Sequence, residues 1–283
     1  MTKTPAYLPA SDGLPARVSG AWARDKLYYV ERYFTIFNKG MYRKWPHRAY
    51  VDLMAGPGRC ITADRAEEFD GSPILAANSA PEFENCVCVE ADPELRRALH
   101  TRTARFGQRV SVLAGDCNDP GIVKSIRQAV KGAPLSVAFV DMLGLDVWFS
   151  TLQALTAGRK MDLLITLQVN DLTRNARSAS TEVQDPERFD RFFGASGWRQ
   201  VVEDCNTKRK PAQDVATALT GYYTERLGTI GYPHVHDLHV LMKNTRNAPL
   251  YRLVLAARHE KAVDFFKAIA EIEHLGQRGL SFE

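Results

Sequence analysis

The order of apolar runs along the chain predicts an α/β fold, with a mainly parallel sheet covered on both faces by helices and ending in an antiparallel hairpin. Three observations lead there. Short apolar runs alternate with helical segments between residues 48 and 169, which is the pattern of successive βαβ units. The first such run leads straight into Ala55-Gly56-Pro57-Gly58, a strand followed by a glycine-rich turn. Near the end, two strand-like runs at residues 235–243 and 250–258 are separated only by Asn244-Thr-Arg-Asn-Ala-Pro249. So short a connection joins antiparallel strands but not parallel ones.

Taken in order, residues 1–20 are rich in Pro, Gly and Ser and read as an extended arm. Residues 21–283 then read as one domain. It opens with an amphipathic helix from Trp22 to Lys39, in which Leu27, Val30, Phe34 and Phe37 fall at helical spacing with Tyr33 beside them. The first strand is expected over residues 48–54, and later ones over 86–90, 110–114, 135–141 and 163–169. Helices are expected between them at residues 73–79, 93–105, 121–130 and 149–157, and a last one at 262–274. Residues 174–210 form an insertion with many charges, the aromatic residues Phe189, Phe192, Phe193 and Trp198, and one helix at Pro186–Phe193. Following a strand's carboxyl end, it is placed to act as a lid or a partner surface rather than as core, with its aromatic residues either packed on the sheet's edge or facing an acceptor or the partner protein.

Composition narrows the class. Hydrophobic residues make up 45% and charged residues 25% of the chain, enough to bury a core. No run reaches the 18 or so apolar residues of a membrane span. Pro5, Pro9 and Pro15 interrupt any signal-peptide pattern, so a cytoplasmic location is expected. The net charge of +4 permits contact with nucleic acid without arguing for it. Cys60, Cys86, Cys88, Cys117 and Cys205 show no CxxC spacing. They read as small core residues, with a zinc or iron–sulfur site as the alternative. His234 and His236 share a strand face near His239, a weak metal pattern with a carboxylate on the wrong face.

Ligands of open α/β sheets bind beyond the carboxyl ends of the strands, and four such ends carry suitable groups. The first is Asp52-Leu-Met-Ala55-Gly56-Pro57-Gly58, where small residues let a ligand approach the backbone. The second is Glu90-Ala91-Asp92. There Glu90 is suited to accept from ribose hydroxyls, while Asp92 before Pro93 is also a helix N-cap pattern. The third, Gly115-Asp116-Cys117, offers a carboxylate to an adenine amino group. The fourth is Asp141-Met-Leu-Gly144. Any one of these is explicable as a turn; four in succession predict a nucleotide-like cofactor. Asp141 is the candidate catalytic base, with Asn170 and Asp171 as acceptor-orienting groups.

The terminal hairpin matches the end of the class I methyltransferase sheet, whereas nicotinamide-binding domains stay parallel and carry a full GxGxxG. Asp25-Lys-Leu-Tyr28, Tyr50-Val-Asp-Leu-Met-Ala-Gly-Pro-Gly58, Gly71-Ser-Pro-Ile-Leu75, Val89-Glu-Ala-Asp92 and Pro249-Leu-Tyr-Arg-Leu253 together resemble the three-Cys-motif partner protein family, TcmP. That resemblance implies a Rossmann-like class I methyltransferase fold and S-adenosylmethionine as ligand. It also implies a protein partner with three cysteines related to phage proteins. It supplies no methyl acceptor. Where the family pattern has Asp-Pro-x-Gly, this chain has Asp141-Met-Leu-Gly144. Enzymes that methylate exocyclic base nitrogens commonly present Asn/Asp-Pro-Pro-aromatic at this strand end, and the lack of those prolines and that aromatic residue here argues against methylation by that route. Two functions follow: a methyltransferase acting on nucleic acid or protein, or a cofactor-binding partner protein without catalysis.

Overall fold

A computed structural model describes residues 7–62, 64–142, 144–168, 172, 186–235, 239–243 and 249–270. The chain opens with β1 (Tyr7–Pro9), β2 (Pro15–Val18) and the long helix α1 (Ala21–Met41). Next come β3 (Arg48–Asp52), the short β4 (Arg59–Ile61) and β5 (Glu68–Asp70), and α2 (Ser72–Asn78). Three βα units follow: β6 (Asn85–Glu90) with α3 (Pro93–Thr103), β7 (Val110–Ala114) with α4 (Pro120–Ala129), and β8 (Leu135–Asp141) with α5 (Phe149–Thr156). After β9 (Lys160–Gln168) come α6 (Pro186–Phe193), α7 (Trp198–Thr207) and α8 (Ala212–Thr229). The hairpin β10 (His239–Lys243) and β11 (Pro249–Ala256) precedes α9 (Glu260–Ala270).

The main sheet has seven strands in the order β10-β11-β9-β8-β3-β6-β7. β11 is antiparallel to both neighbours, and the remaining pairings are parallel. Six strands therefore run one way and one is reversed. This is the Rossmann-like class I methyltransferase sheet that the alternating runs and the terminal hairpin predict.

Alternation along the strands divides the core in two. In β8, Ala138 and Val140 join a cluster with α4, α5, α6 and α8, whereas Val137 and Phe139 join the cluster with α1 and α9. Successive side chains on a strand point to opposite faces, so a strand covered by helices on both sides is apolar throughout. All five residues of β3 are buried. The five cysteines are buried and unpaired. Among the described residues no helix is long and apolar enough to cross a membrane.

Two expectations change. The described residues of the segment read as an extended arm, 7–20, contain a hairpin, β1 with β2, which joins β4 and β5 in a second, four-stranded sheet. Arg102 on α3 fastens it with a two-pronged pair to Asp12 and bonds to the carbonyls of Leu14, Pro15 and Pro57. The described part of the insertion is core rather than lid. Phe189, Phe192, Phe193 and Trp198 are each at most 2% exposed. Phe192 stacks on Tyr223 of α8 at 4.6 Å between ring centroids. The charges of α6 sit on the opposite face of a strongly amphipathic helix, so its charge content and its burial do not conflict. Residues 173–185 lie outside the described residues.

Candidate functional site

β3 hydrogen-bonds β6 on one side and β8 on the other, and the chain runs from β3 through β6 and β7 before returning to β8. The carboxyl ends of β3 and β8 therefore flank the point where strand order reverses, which is where open α/β sheets form a ligand crevice.

The glycine loop after β3 is built as one unit with the segments around it. Gly56 and Gly58 hold φ of +62° and +79°, a region that glycine enters without steric cost. A Cβ at Gly56 would meet nothing within 4 Å, whereas one at Gly58 would lie 2.9 Å from Leu99 Cδ1. Gly56 thus opens towards free space and Gly58 packs against helix α3. Gly71 sits on the loop: its N–H donates to Gly58 O, and a Cβ there would come within 3.1 Å of the Gly58 backbone.

Asp52, expected as a ligand residue, is fully buried and supports this loop from below. Its Oδ2 accepts from Tyr50 Oη at 2.6 Å and Ser72 Oγ at 2.7 Å, and its Oδ1 from Met54 N. Burial lifts its pKa to about 6, against the opposing pull of the bonds from Tyr50 and Ser72. The residue types at Tyr50, Asp52, Gly56, Gly58, Gly71 and Ser72 are accounted for by one set of contacts.

At the second strand end both carboxylate oxygens of Glu90 accept backbone N–H groups, Oε2 from Gly56 and Oε1 from Asp92, each at 2.8 Å. Glu90 ties the glycine loop to β6 and remains half-buried, with lone pairs left for a ligand. Asp92 is the N-cap of α3: its Oδ1 accepts from Glu94 N and Leu95 N, while Ala91 is exposed. At the third end Asp116 is exposed and its Oδ1 accepts from Asn118 N. Cys117 is buried, and that burial pushes its thiol up to about 12, so it is no nucleophile.

The pocket itself lies between the glycine loop, α1 and β2, with a volume of about 40 Å³. Met54, Ala55, Gly56, Pro57 and Gly58 form one wall; Arg17, Ser19, Trp22 and Lys26 form the other, with Asp141 between them. Lys26 Nζ lies 2.5 Å from Asp141 Oδ2, and Arg17 Nη1 lies 3.9 Å from the same oxygen. Burial alone would raise the Asp141 pKa, but the charges of Lys26 and Arg17 overcome it and hold the carboxyl below its usual value. Asp141 is therefore an anion engaged with cations, a weaker proton acceptor than a carboxylate at its ordinary pKa.

Arg17 and Lys26 are the site residues that the sequence reading missed. A signal for Lys26 exists, since it sits four residues before Val30 on the apolar stripe of α1. A charged residue on a buried helix face requires a partner. The terminal hairpin also reaches this corner: Tyr251 Oη donates to Trp22 O, and Lys26 Nζ lies 5.7 Å over the Tyr251 ring. Tyr7 of β1 stands close to the acidic end. Burial raises its phenol, Arg17 opposes that shift, and Glu90 and Asp92 add to it.

Other expected features fall away from the crevice. Arg199 in the insertion is held by Asp190 in a two-pronged pair. Among the described residues no group of His, Cys, Asp and Glu is arranged to hold a metal ion. Leu143, Asn170, Asp171 and His236 lie outside the described residues, as does the His239 side chain.

The chain matches no family profile and no curated protein. Among solved structures it is similar to M. jannaschii TYW2 in complex with AdoMet, at 12% identity and TM-score 0.41, over 89% of this chain and 85% of that one. It is similar to cofactor-bound Rv0187 from MTB at 13% identity and TM-score 0.43, over 87% and 84%. The M. jannaschii fibrillarin pre-rRNA processing protein is similar at 13% identity and TM-score 0.42, over 75% and 66%. The fold assignment rests on strand order and direction.

Proposed function

We propose that the chain binds S-adenosylmethionine at the carboxyl ends of β3, β6, β7 and β8 and acts as a methyltransferase-like protein of the three-Cys-motif partner type. One observation carries this reading. The groups quoted for the resemblance, which are scattered in sequence from Lys26 through Gly56, Gly71 and Glu90 to Tyr251, meet around one crevice at the switch point. A structural turn motif would not draw in the first helix and the last strand. M. jannaschii TYW2 was solved with AdoMet and Rv0187 from MTB with cofactor bound.

The chemistry of the residues present suits such a ligand, whose bulk would lie outside the small enclosed pocket, along the open strand ends. Free space above Gly56 admits a close backbone approach. Glu90 offers its remaining lone pairs to ribose hydroxyls, and Asp116, exposed beyond the end of β7, is the candidate acceptor for an adenine amino group. The cations Arg17 and Lys26 and the anion Asp141 together suit the zwitterionic methionyl end. When bound, the sulfonium supplies an already activated methyl group, so the protein's task is alignment and exclusion of water. No proton acceptor at Asp141 is required for that.

The engagement of Asp141 by Lys26 also favours a second reading, a cofactor-binding partner protein without catalysis. Isothermal titration with S-adenosylmethionine, its demethylated product and NAD tests the first step. Micromolar binding of the first two and none of NAD is expected, and NAD binding alone overturns the assignment. Radiolabelled methyl transfer to nucleic acid or protein, with and without the three-Cys partner, separates enzyme from partner protein.

A further inference from the structure

A second cavity lies at the other end of the sheet. It opens where β8 and β9 begin, at Leu135, Lys160 and Asp162, and where β11 gives way to α9, at Arg258. β8 alone puts roughly 20 Å between this end and the crevice at Asp141. The cavity measures about 280 Å³, several times the volume enclosed beside the glycine loop.

Its walls are aromatic. Phe37 comes from α1, Trp45 from the turn after it, and Phe265 from α9. Gly40 makes the last of these possible. A Cβ there would lie 2.3 Å from Phe265 Cζ, so the ring rests directly on the end of α1. The rim is cationic: Lys44, Lys160 and Lys261 are exposed, and Lys160 Nζ lies 4.4 Å over the Trp45 ring. Arg258 sits deeper, stacked on Tyr232 and donating to Ile230 O. Against these four cations the lining holds, among the described residues, a single carboxylate, Asp162, buried at the base and bonded to Tyr33 Oη at 3.2 Å.

We propose that this cavity is a second small-molecule site, which takes a flat, largely apolar body carrying one anionic group. The aromatic walls cover the body, and Lys44, Lys160 and Lys261 meet the charge at the mouth. Ligand sites commonly combine apolar walls with a few convergent charged groups in this way, and a ring between aromatic faces gains contact area with little loss of freedom. A cationic ligand meets three like charges before it can reach Asp162. The site is separate from the crevice at the carboxyl ends and does not depend on what binds there.

Isothermal titration of the intact chain with three probes of one shape tests this: 2-naphthoate, neutral 2-naphthamide and 2-naphthylmethylammonium. The anion is expected to bind one to one with a dissociation constant below about 1 mM, near the value common for ligands of this size. The amide should bind at least tenfold more weakly, and the cation not measurably. Lys44→Glu with Lys160→Glu, both at exposed positions, should weaken naphthoate at least tenfold and the amide less than threefold. Lys261→Glu provides a second variant with the same expected direction. No saturable heat from naphthoate, equal affinity for all three probes, or undiminished binding in the variants overturns the proposal. So does competition between naphthoate and S-adenosylmethionine, which would place the probe in the crevice.

Discussion

Lys26 Nζ of helix α1 lies 2.5 Å from Asp141 Oδ2 at the end of β8, and both side chains are close to fully buried. The pair joins the first helix to the strand that flanks the crevice, across 115 residues of sequence. Removing one member of a buried ion pair strands the other charge, at a cost of about 3–5 kcal/mol. Lys26→Met is therefore expected to lower stability by that order, and Lys26→Met with Asp141→Asn to recover much of it. Urea titrations of the two singles and the double close the cycle. Additive losses would mean that the pair contributes no coupling. The pH dependence has a definite sign. Asp141 is held below its unfolded value, so its contribution is present above the unfolded pKa of 3.8 and is lost as pH falls through the folded one.

Gly56 and Gly58 are alike in sequence but different in surroundings, and substitution should separate them. Gly56→Ala places a methyl group in open space at a φ of +62°, so about 1 kcal/mol of backbone strain is expected. The fold should survive while S-adenosylmethionine binding falls at least tenfold. Gly58→Val drives its Cβ into Leu99 and Ile74 and should destabilise the protein by several kcal/mol through strain and overpacking. Paired melting and titration experiments check both. A well-folded Gly58→Val variant that merely fails to bind ligand would show that the close packing of Gly58 on Leu99 is not what holds the loop.

Glu90 holds the glycine loop through Gly56 N and Asp92 N. Glu90→Gln keeps one carbonyl acceptor and turns the other position into a donor facing a backbone N–H. A hydrogen bond to a charged group contributes about 1.5–3 kcal/mol, so S-adenosylmethionine affinity should drop at least tenfold. Amide exchange at Gly56 should accelerate even without ligand. Unchanged exchange with weakened binding would leave Glu90 with a contact to ligand but no role in shaping the loop.

Sequence periodicity captured the sheet because its central strands are covered on both faces and so are mostly apolar, as in β8. The observed bounds of β7 and β8 are those expected from the apolar runs. β1, β2, β4 and β5 escaped because they are only three or four residues long, too short for a periodic pattern. The second wall of the crevice escaped with them, since Arg17 stands on β2. Asp52 was legible as a strand-end carboxylate, but not as a group turned inward to Tyr50 and Ser72. Which way a side chain faces at a strand end depends on the loop that follows.

The aromatic cluster of α6, α7 and α8 belongs to the larger of the two cores. Phe192 is fully buried and stacked on Tyr223, and Phe192→Ala should cost about 3–5 kcal/mol. Deleting residues 179–208 should unfold the chain, because it removes Trp198, Val202 and Cys205 with α6 from under α8. Circular dichroism and melting of both variants check this. A cooperative transition at an unshifted temperature after the deletion would restore these helices to the role of a lid.

The last prediction concerns Asp162, buried on β9 with Tyr33 as its hydrogen-bond donor. Burial lifts its pKa to about 7, against the opposing effect of the Tyr33 bond and of Arg258. Below the unfolded value of 3.8 the carboxyl is protonated in both states and contributes no pH dependence. Between 3.8 and about 7 the folded chain holds a proton that the unfolded chain has released, so stability falls as pH rises. Above that window the whole penalty, roughly 4 kcal/mol, is present. Asp52 contributes with the same sign up to about 6, which is why the variant and the parent must be compared at each pH. Asp162→Asn keeps the shape and can still accept from Tyr33 while never ionising. It should be more stable than the parent at pH 8, converge with it near pH 4, and show a shallower slope between. Urea unfolding from pH 4 to 8 measures the difference. Parallel curves for the two proteins would mean that Asp162 titrates at its ordinary value and stays charged in the core.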